Sequence, residues 1–285
     1  LNNSFFPFNP ALQTALENNV RLALEEDVGS GDVTGLLVPA QSSVTAQVRV
    51  RENAVLCGIP WFVAVMQALD KSIAIDWRYA EGDLMQADSV VCQIDAPVRA
   101  LLTAERSALN FLQLLSGVAS NTRRYVDSVV GTKAVILDTR KTLPGLRLAQ
   151  KYAVTVGGGH NQRLALYDGI LIKENHIAAA GGIAQAMAAA CALQAKVSIQ
   201  IEVENLQQLQ QALEAGAVSV LLDNFELSEM REAVRITQGK VLLEASGGVA
   251  LETVRAIAET GVDRISVGGL TKDVKATDYS LRIVS

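Results

Sequence analysis

Six short apolar runs in the second half of the chain each end on a polar, charged or glycine residue. They are Ala134–Asp138, Gly169–Lys173, Val197–Glu202, Val218–Asp223, Lys240–Ser246 and Arg264–Gly268. The last four endings recur at about one β/α unit, with helical periodicity between them. In a parallel barrel the carboxyl ends of the strands share one mouth, where active sites lie. The pattern therefore predicts an enzyme, and it predicts that Lys173, Glu202, Asp223 and two glycine-bearing strand ends ring one cavity.

The first half follows other periods. Leu12, Leu16, Val20 and Leu24 repeat every four residues behind Asn9-Pro10, which predicts an amphipathic helix ended by Gly29-Ser-Gly-Asp. Val44 to Val50, Ile73 to Tyr79 and Val90 to Ala96 alternate apolar with polar, as strands of an antiparallel sheet with one wet face do. Pro60 to Asp70 reads as a helix between strands. Arg99 to Val130 reads as a long helical stretch broken near Ser116-Gly117. The domain change is placed there, with an N-terminal domain over residues 1–116, a barrel domain over 117–272, and a tail, 273–285, adding a strand back to the first. A closed barrel needs eight strands. With only six clear runs, either two are hidden or the barrel is incomplete.

Composition narrows the class. The 285 residues suit one large or two ordinary domains; 49% are apolar and 5% aromatic, as in an α/β protein rich in Ala, Val and Leu. A net charge of −5 provides no global basic field for nucleic acid or an anionic membrane. Cys57, Cys92 and Cys191 are scattered and odd in number, which fits reduced, buried thiols of a cytoplasmic protein better than disulfides or zinc. Residues 1–10 lack a signal-peptide pattern. Ile177 to Ala195 carries no charge and is nearly long enough to span a membrane, but it is mostly alanine and contains Gly181-Gly182; a buried barrel helix is expected.

Several residues have both a chemical and a structural reading. Arg140 and Lys141 just past a strand end suit an anion, though charged loops are usually only solvated. Gly157-Gly158-Gly159 before His160, Gln162 and Arg163 lets backbone N–H groups converge on an anion, though glycine runs are often plain turns. Lys173 can form a Schiff base, act as a fixed cation, or pair with Glu202. Glu202 and Asp223 can hold Mg²⁺, bind ribose hydroxyls or act as a base, and Asp223 can cap a helix. Ser246-Gly247-Gly248 and Ser266-Val267-Gly268-Gly269, each followed by a predicted helix, suit phosphate. With two histidines and no metal-type spacing, a hydrolase triad or zinc enzyme is not expected, and His176 reads as structural. The cations exceed what one phosphate needs, which points to a second ligand with several carboxylates.

Leu102-Thr-Ala-Glu-Arg106-Ser-Ala-Leu-Asn-Phe111, Asp138-Thr-Arg-Lys-Thr-Leu-Pro-Gly-Leu-Arg147 and Leu171-Ile-Lys-Glu-Asn-His176 carry a further signal, with Glu202-Val-Glu-Asn-Leu206, Leu222-Asp-Asn-Phe225 and Ile265-Ser-Val-Gly268. With these runs the chain resembles the quinolinate phosphoribosyltransferases, the carboxylating nicotinate-nucleotide pyrophosphorylases of NAD biosynthesis, over nearly its whole length. The resemblance implies an α/β protein of type II phosphoribosyltransferase architecture: an N-terminal α/β sandwich with an antiparallel sheet and an incomplete, open α/β barrel, paired as a homodimer. It implies that Arg140, Lys141, Arg163 and Lys173 bind quinolinate, with Arg106 reaching in from the partner subunit, and that Thr139, His160 and Gln162 are further substrate contacts. Phosphoribosyl pyrophosphate with Mg²⁺ would use Glu202, Asp223, Ser246 to Gly248 and Ser266 to Gly269, with Glu202 and Asp223 as the metal ligands. Lys141, Lys173, Glu202 and Asp223 form the expected catalytic set. One position departs from the family pattern. The residue before the loop arginine is commonly histidine there; here it is Gln162, and the histidine is His160. Competing readings are a relative with the same barrel but another base, a Schiff-base lyase centred on Lys173, and a non-catalytic binding protein.

Overall fold

The computed structural model describes residues 9–39 and 42–285. The chain forms two compact units. One comprises the described residues through Arg123, together with 142–158 and 273–285; the other comprises 124–141 and 159–272.

The first unit opens with α1 (Pro10–Asp27). Asn9 caps it, its side chain accepting from the Leu12 N–H at 2.9 Å, and Pro10 supplies a backbone angle suited to a first helical turn. Leu12, Leu16 and Val20 are buried as the periodicity predicts. After β1 (Ser43–Val50) and β2 (Ala54–Val55), α2 (Ile59–Leu69) starts at the left-handed Gly58. Glu81 takes the place of a capping side chain, accepting from the N–H groups of Gly58 and Ile59 at 2.8 and 3.0 Å. β3 (Ala74–Trp77), β4 (Leu84–Met85) and β5 (Val90–Pro97) follow. The last strand of the chain, β12 (Tyr279–Ile283), joins the main sheet, whose antiparallel order is β12-β1-β5-β3.

α3 (Val98–Ser128) runs unbroken through Ser116-Gly117, contrary to the expected interruption. The glycine serves close approach instead. A Cβ there would run into the Lys275 carbonyl oxygen, and the neighbouring Ser116 hydroxyl lies 2.8 Å from the Tyr279 hydroxyl of β12. The helix after the first barrel strand, α4 (Arg147–Val156), belongs to this unit as well. Its Tyr152 ring lies 5.5 Å from that of Trp61, and Asn19 of α1 donates to the Gly145 carbonyl just before it at 3.1 Å.

The second unit is a six-stranded parallel sheet of β6 (Val135–Leu137), β7 (Gly169–Ile172), β8 (Ser198–Val203), β9 (Ser219–Asp223), β10 (Leu242–Ser246) and β11 (Arg264–Ser266). Its order is β6-β11-β10-β9-β8-β7. β6 and β7 do not pair, so the barrel is open, with six strands among the described residues. The free side of β6 is met by His160, which exchanges backbone bonds with Ile136 and Asp138. The register puts Asp223 beside Ser246 and Glu202 beside Leu221, so the strand ends bearing these side chains stand nearly level.

Between strands run α5 (Glu174–Ala180), α6 (Ile183–Ala192), α7 (Leu206–Glu214), α8 (Leu227–Thr237), α9 (Val254–Ala258) and α10 (Gly269–Lys272). The charge-free stretch is two short helices parted at Gly181-Gly182, and only α6 buries a face, with Ile183, Ala186, Met187 and Ala190. No helix among the described residues is long and apolar enough to cross a membrane. Cys57 and Cys92 are buried free thiols, but Cys191, expected buried, is exposed near the end of α6.

Candidate active site

A cavity of about 600 Å³ opens within the second unit among the carboxyl ends of its strands. Thr139, Arg140, Lys141, Gln162, Arg163, Lys173, Glu202, Asp223, Ser246, Gly247, Gly248 and Ser266 line it, joined by Leu171, Leu221, Asn224 and Glu244. Twelve of the sequence-predicted residues thus meet at one surface. His160, Val267, Gly268, Gly269 and Arg106 are not among the lining residues. Arg106 is exposed on α3.

β6 delivers the cationic wall. Asp138, the residue just past its end, is fully buried: it accepts from the Asn161 side chain at 2.6 Å and the Gln162 N–H at 2.9 Å, so it ties the glycine-rich loop to the strand. The following turn is closed by the Thr139 hydroxyl, which accepts from the Lys141 N–H at 3.0 Å, and this presents Arg140 and Lys141 to the cavity. Arg140 Nε is buried and lacks a hydrogen-bond partner among the described residues. Burial lowers the pKa of Arg163, and the nearby Arg140 charge lowers it further. Two guanidinium groups that repel one another, one with an unmet buried donor, make a site that an anion would stabilise. Arg163 is anchored from behind, its Nη1 donating to the Gly169 carbonyl at 2.9 Å.

Gly268, though not a wall residue, makes room for Lys141; a Cβ there would lie 3.2 Å from Lys141 Cδ. The Thr271 hydroxyl donates to the Lys141 carbonyl at 2.7 Å and fixes the same turn from α10.

Glu202 and Asp223 line the same cavity. Lys173 Nζ donates to both oxygens of Glu202, at 3.1 and 2.8 Å. Of the roles open to Lys173, this is the pairing with Glu202. Burial raises the Glu202 pKa; Lys173 opposes the shift, and Asp223 and Glu174 add to it. His176 is structural, as expected: its Nδ1 accepts from the Lys173 N–H at 3.0 Å at the start of α5. Asp223 does not cap α8, whose cap residue is Glu226, so its carboxylate stays at the cavity wall.

The glycine-bearing ends differ from expectation in one respect. α9 begins only at Val254, well past Gly248, so no helix terminus backs the first of them. Left-handed backbone at Gly247 (φ 92°) and Gly248 (φ 59°) shapes that loop instead. A side chain on Gly247 would collide with the Asn224 amide, which itself donates to Asp223 at 3.2 Å. α10 does start at Gly269, directly after the second end.

Two residues escaped the sequence reading. Glu244 is 1% exposed and sits inside an apolar strand run, where it read as interruption, not function. Gln200, on β8, is also buried and hydrogen-bonds to it.

The open parallel barrel and its polar cavity at the strand ends define an α/β-barrel enzyme. Residues 32–116 match the N-terminal domain, and 118–282 the C-terminal domain, of quinolinate phosphoribosyl transferase; the chain belongs to that family. It is 43% identical over 277 residues to the nicotinate-nucleotide pyrophosphorylase [carboxylating] of Mycobacterium leprae, covering 94% of this chain and 96% of the relative. It is 39% identical over 259 residues to the probable enzyme of that name from Bacillus subtilis (strain 168), covering 90% of each. The solved nicotinate-nucleotide pyrophosphorylase of Francisella tularensis superposes with a TM-score of 0.92 at 45% identity, over 95% of this chain and 96% of that one.

Proposed function

We propose that the chain transfers the phosphoribosyl group of phosphoribosyl pyrophosphate to the ring nitrogen of quinolinate, releasing pyrophosphate and CO₂ and forming nicotinate mononucleotide for de novo NAD biosynthesis. The observation that carries this reading is one cavity lined by Arg140, Lys141, Arg163 and Lys173 together with Glu202 and Asp223. Two adjacent carboxylates on one small ring suit two guanidinium groups flanked by Lys141 and Lys173.

Mg²⁺ belongs to the proposal. Glu202 and Asp223 line the same cavity as Ser246, Gly247 and Gly248, while no group of three or more His, Cys, Asp or Glu among the described residues could hold a metal. A pair of carboxylates suffices, because Mg²⁺ keeps water and substrate phosphate oxygens as its remaining ligands. Bound there, it would neutralise charge on the leaving pyrophosphate.

The chain's own residues do the rest by charge. Arg140, Lys141 and Arg163 hold the ring with its nitrogen towards the ribose, and the carboxylates of Glu202 and Asp223 stabilise positive charge at the ribose carbon as pyrophosphate departs. Once the ring nitrogen is alkylated, its positive charge stabilises the carbanion left by CO₂, so no protein nucleophile is required. The proposal includes a homodimer in which Arg106 completes the partner's site. Exposed Val33, Leu36 and Leu37 support it: they surround a turn that Thr103, one helical turn before Arg106, anchors through Asp32 at 2.9 Å. A cytoplasmic location rests on Cys57 and Cys92 being free thiols.

The test is turnover of quinolinate with phosphoribosyl pyrophosphate and Mg²⁺, following CO₂ and nicotinate mononucleotide together, with nicotinate as control. Both products in equal amounts from quinolinate alone are expected. Product from nicotinate without CO₂ would move the chain to a different base.

A further inference from the structure

The buried Gln200 and Glu244 and the half-buried Gln162 close a ring of hydrogen bonds at the edge of the cavity. Gln162 Nε2 donates to Gln200 Oε1 at 2.8 Å and is 3.3 Å from both oxygens of Glu244. Gln200 Nε2 donates to Glu244 Oε2 at 2.9 Å. The remaining atom of the Gln162 amide, Oε1, accepts from the Arg163 N–H at 2.6 Å. No cation among the described residues pairs with Glu244.

The chemistry of these groups fixes the direction of influence. An amide nitrogen donates and its oxygen accepts, and both oxygens of Glu244 stand where they accept from the Gln162 amide nitrogen. Glu244 therefore selects the nitrogen end of the Gln162 amide; a flipped amide would set oxygen against oxygen and turn its N–H groups onto the Arg163 N–H. With the nitrogen end held by Glu244 and Gln200, Oε1 is left facing Arg163. Both amide hydrogens are then committed inside the protein, so Gln162 has none to offer a ligand although it lines the cavity. Arg163 is held at two points, by Gln162 at its backbone and by the Gly169 carbonyl at its guanidinium.

We propose that Gln200 and Glu244 are positioning residues for the dicarboxylate substrate, acting through Gln162 on the backbone of Arg163. The proposal rests on the substrate reading above. It assigns Gln162 to the supporting structure of the site and leaves recognition of the ring carboxylates to the cations.

Gln200 supplies the cleanest test, since it is 6% exposed and is not a wall residue. Affinity for quinolinate and for phosphoribosyl pyrophosphate would be measured by calorimetry, alongside KM and kcat, in the wild type, Gln200→Ala, Gln162→Ala and the double variant. Loss of one buried bond to an oriented group predicts roughly tenfold weaker quinolinate binding in each single variant. Phosphoribosyl pyrophosphate affinity and kcat should hold within about twofold, and the double variant should be no weaker than the worse single one. Fold-changes that multiply would make Gln162 an independent substrate contact and overturn the proposal, as would unchanged quinolinate affinity in Gln200→Ala. Should that variant not fold, Gln200→Met, of similar size without the amide, decides in its place. Binding also separates the two readings. A wild type that binds quinolinate without turnover refutes the proposed reaction while the cycle still decides the positioning role; a wild type that does not bind quinolinate refutes both.

Discussion

Lys173 donates to both carboxylate oxygens of Glu202, joining the ends of β7 and β8 across the cavity wall. The pair is asymmetric: the Lys173 side chain is 44% exposed and that of Glu202 only 9%. Removing the lysine would strand a buried carboxylate, whereas removing the glutamate would release a cation able to reach water.

The asymmetry has a pH signature. Burial holds the Glu202 carboxyl above the ordinary range, and Lys173 is the main group resisting that. A carboxyl raised in the folded state binds its proton more tightly there than in the unfolded chain. Its stabilising contribution is therefore complete at low pH and is lost as pH rises through the folded value, while a function that needs the carboxylate is gained over the same interval. The acid limb of kcat/KM should lie above the ordinary glutamate range, and Lys173→Met should move it to higher pH. The same variant should cost roughly ten- to a hundredfold in kcat/KM at neutral pH. An acid limb that stays in place would detach Glu202 from the chemistry.

Arg140 and Arg163 make the opposite kind of pair, two like charges held together. Arg140→Ala should abolish quinolinate binding and leave phosphoribosyl pyrophosphate binding largely intact. Because the substitution removes repulsion and a buried Nε without a partner, it should not lower the melting temperature, and a gain of about 0.5–1 kcal/mol is expected. Calorimetry with each ligand and thermal unfolding test both halves. Equal loss of both ligands would show the cation cluster to be misassigned.

Adjacent glycines should respond unequally. Both Gly247 and Gly248 are left-handed, but a side chain on Gly247 collides with Asn224, while nothing lies within 4 Å of one on Gly248. Gly248→Ala should cost only the backbone strain, about 1 kcal/mol. Gly247→Ala should cost at least twice that and disturb Asn224, which orients Asp223, so its loss of phosphoribosyl pyrophosphate affinity should be the larger. Similar melting temperatures for the two variants would contradict this account.

How far the sequence could be read follows from which interactions are local. The barrel strands and most wall residues were legible because a strand end is marked by where an apolar run stops, and topology alone sends those ends to one mouth. Asn9-Pro10 announced α1 for the same reason: a cap acts on its own helix. Gly117 misled because a glycine that admits the Lys275 carbonyl has the same local signature as one that breaks a helix. Glu244 and Gln200 were invisible because their meaning lies in a side-chain bond between two non-adjacent strands, over forty residues apart. Arg106 was legible only through the family resemblance, since a lone arginine in an amphipathic helix carries no sign of what it faces.

That arginine permits a test needing no structure of the assembly. If Arg106 completes the partner's site, Arg106→Ala and Lys173→Ala lesions fall in different sites of a mixed dimer. One site then carries both lesions and the other neither. Each variant alone should be nearly inactive. Equal mixing after reversible dissociation makes half of the dimers mixed, each with one intact site, so about a quarter of wild-type activity should return. The regained activity should show wild-type KM for quinolinate, because the restored sites are complete. If both variants are inactive and their mixture stays inactive although subunits exchange, Arg106 serves its own chain and the cross-subunit role is wrong. If Arg106→Ala alone keeps wild-type turnover, the arginine has no part in the site.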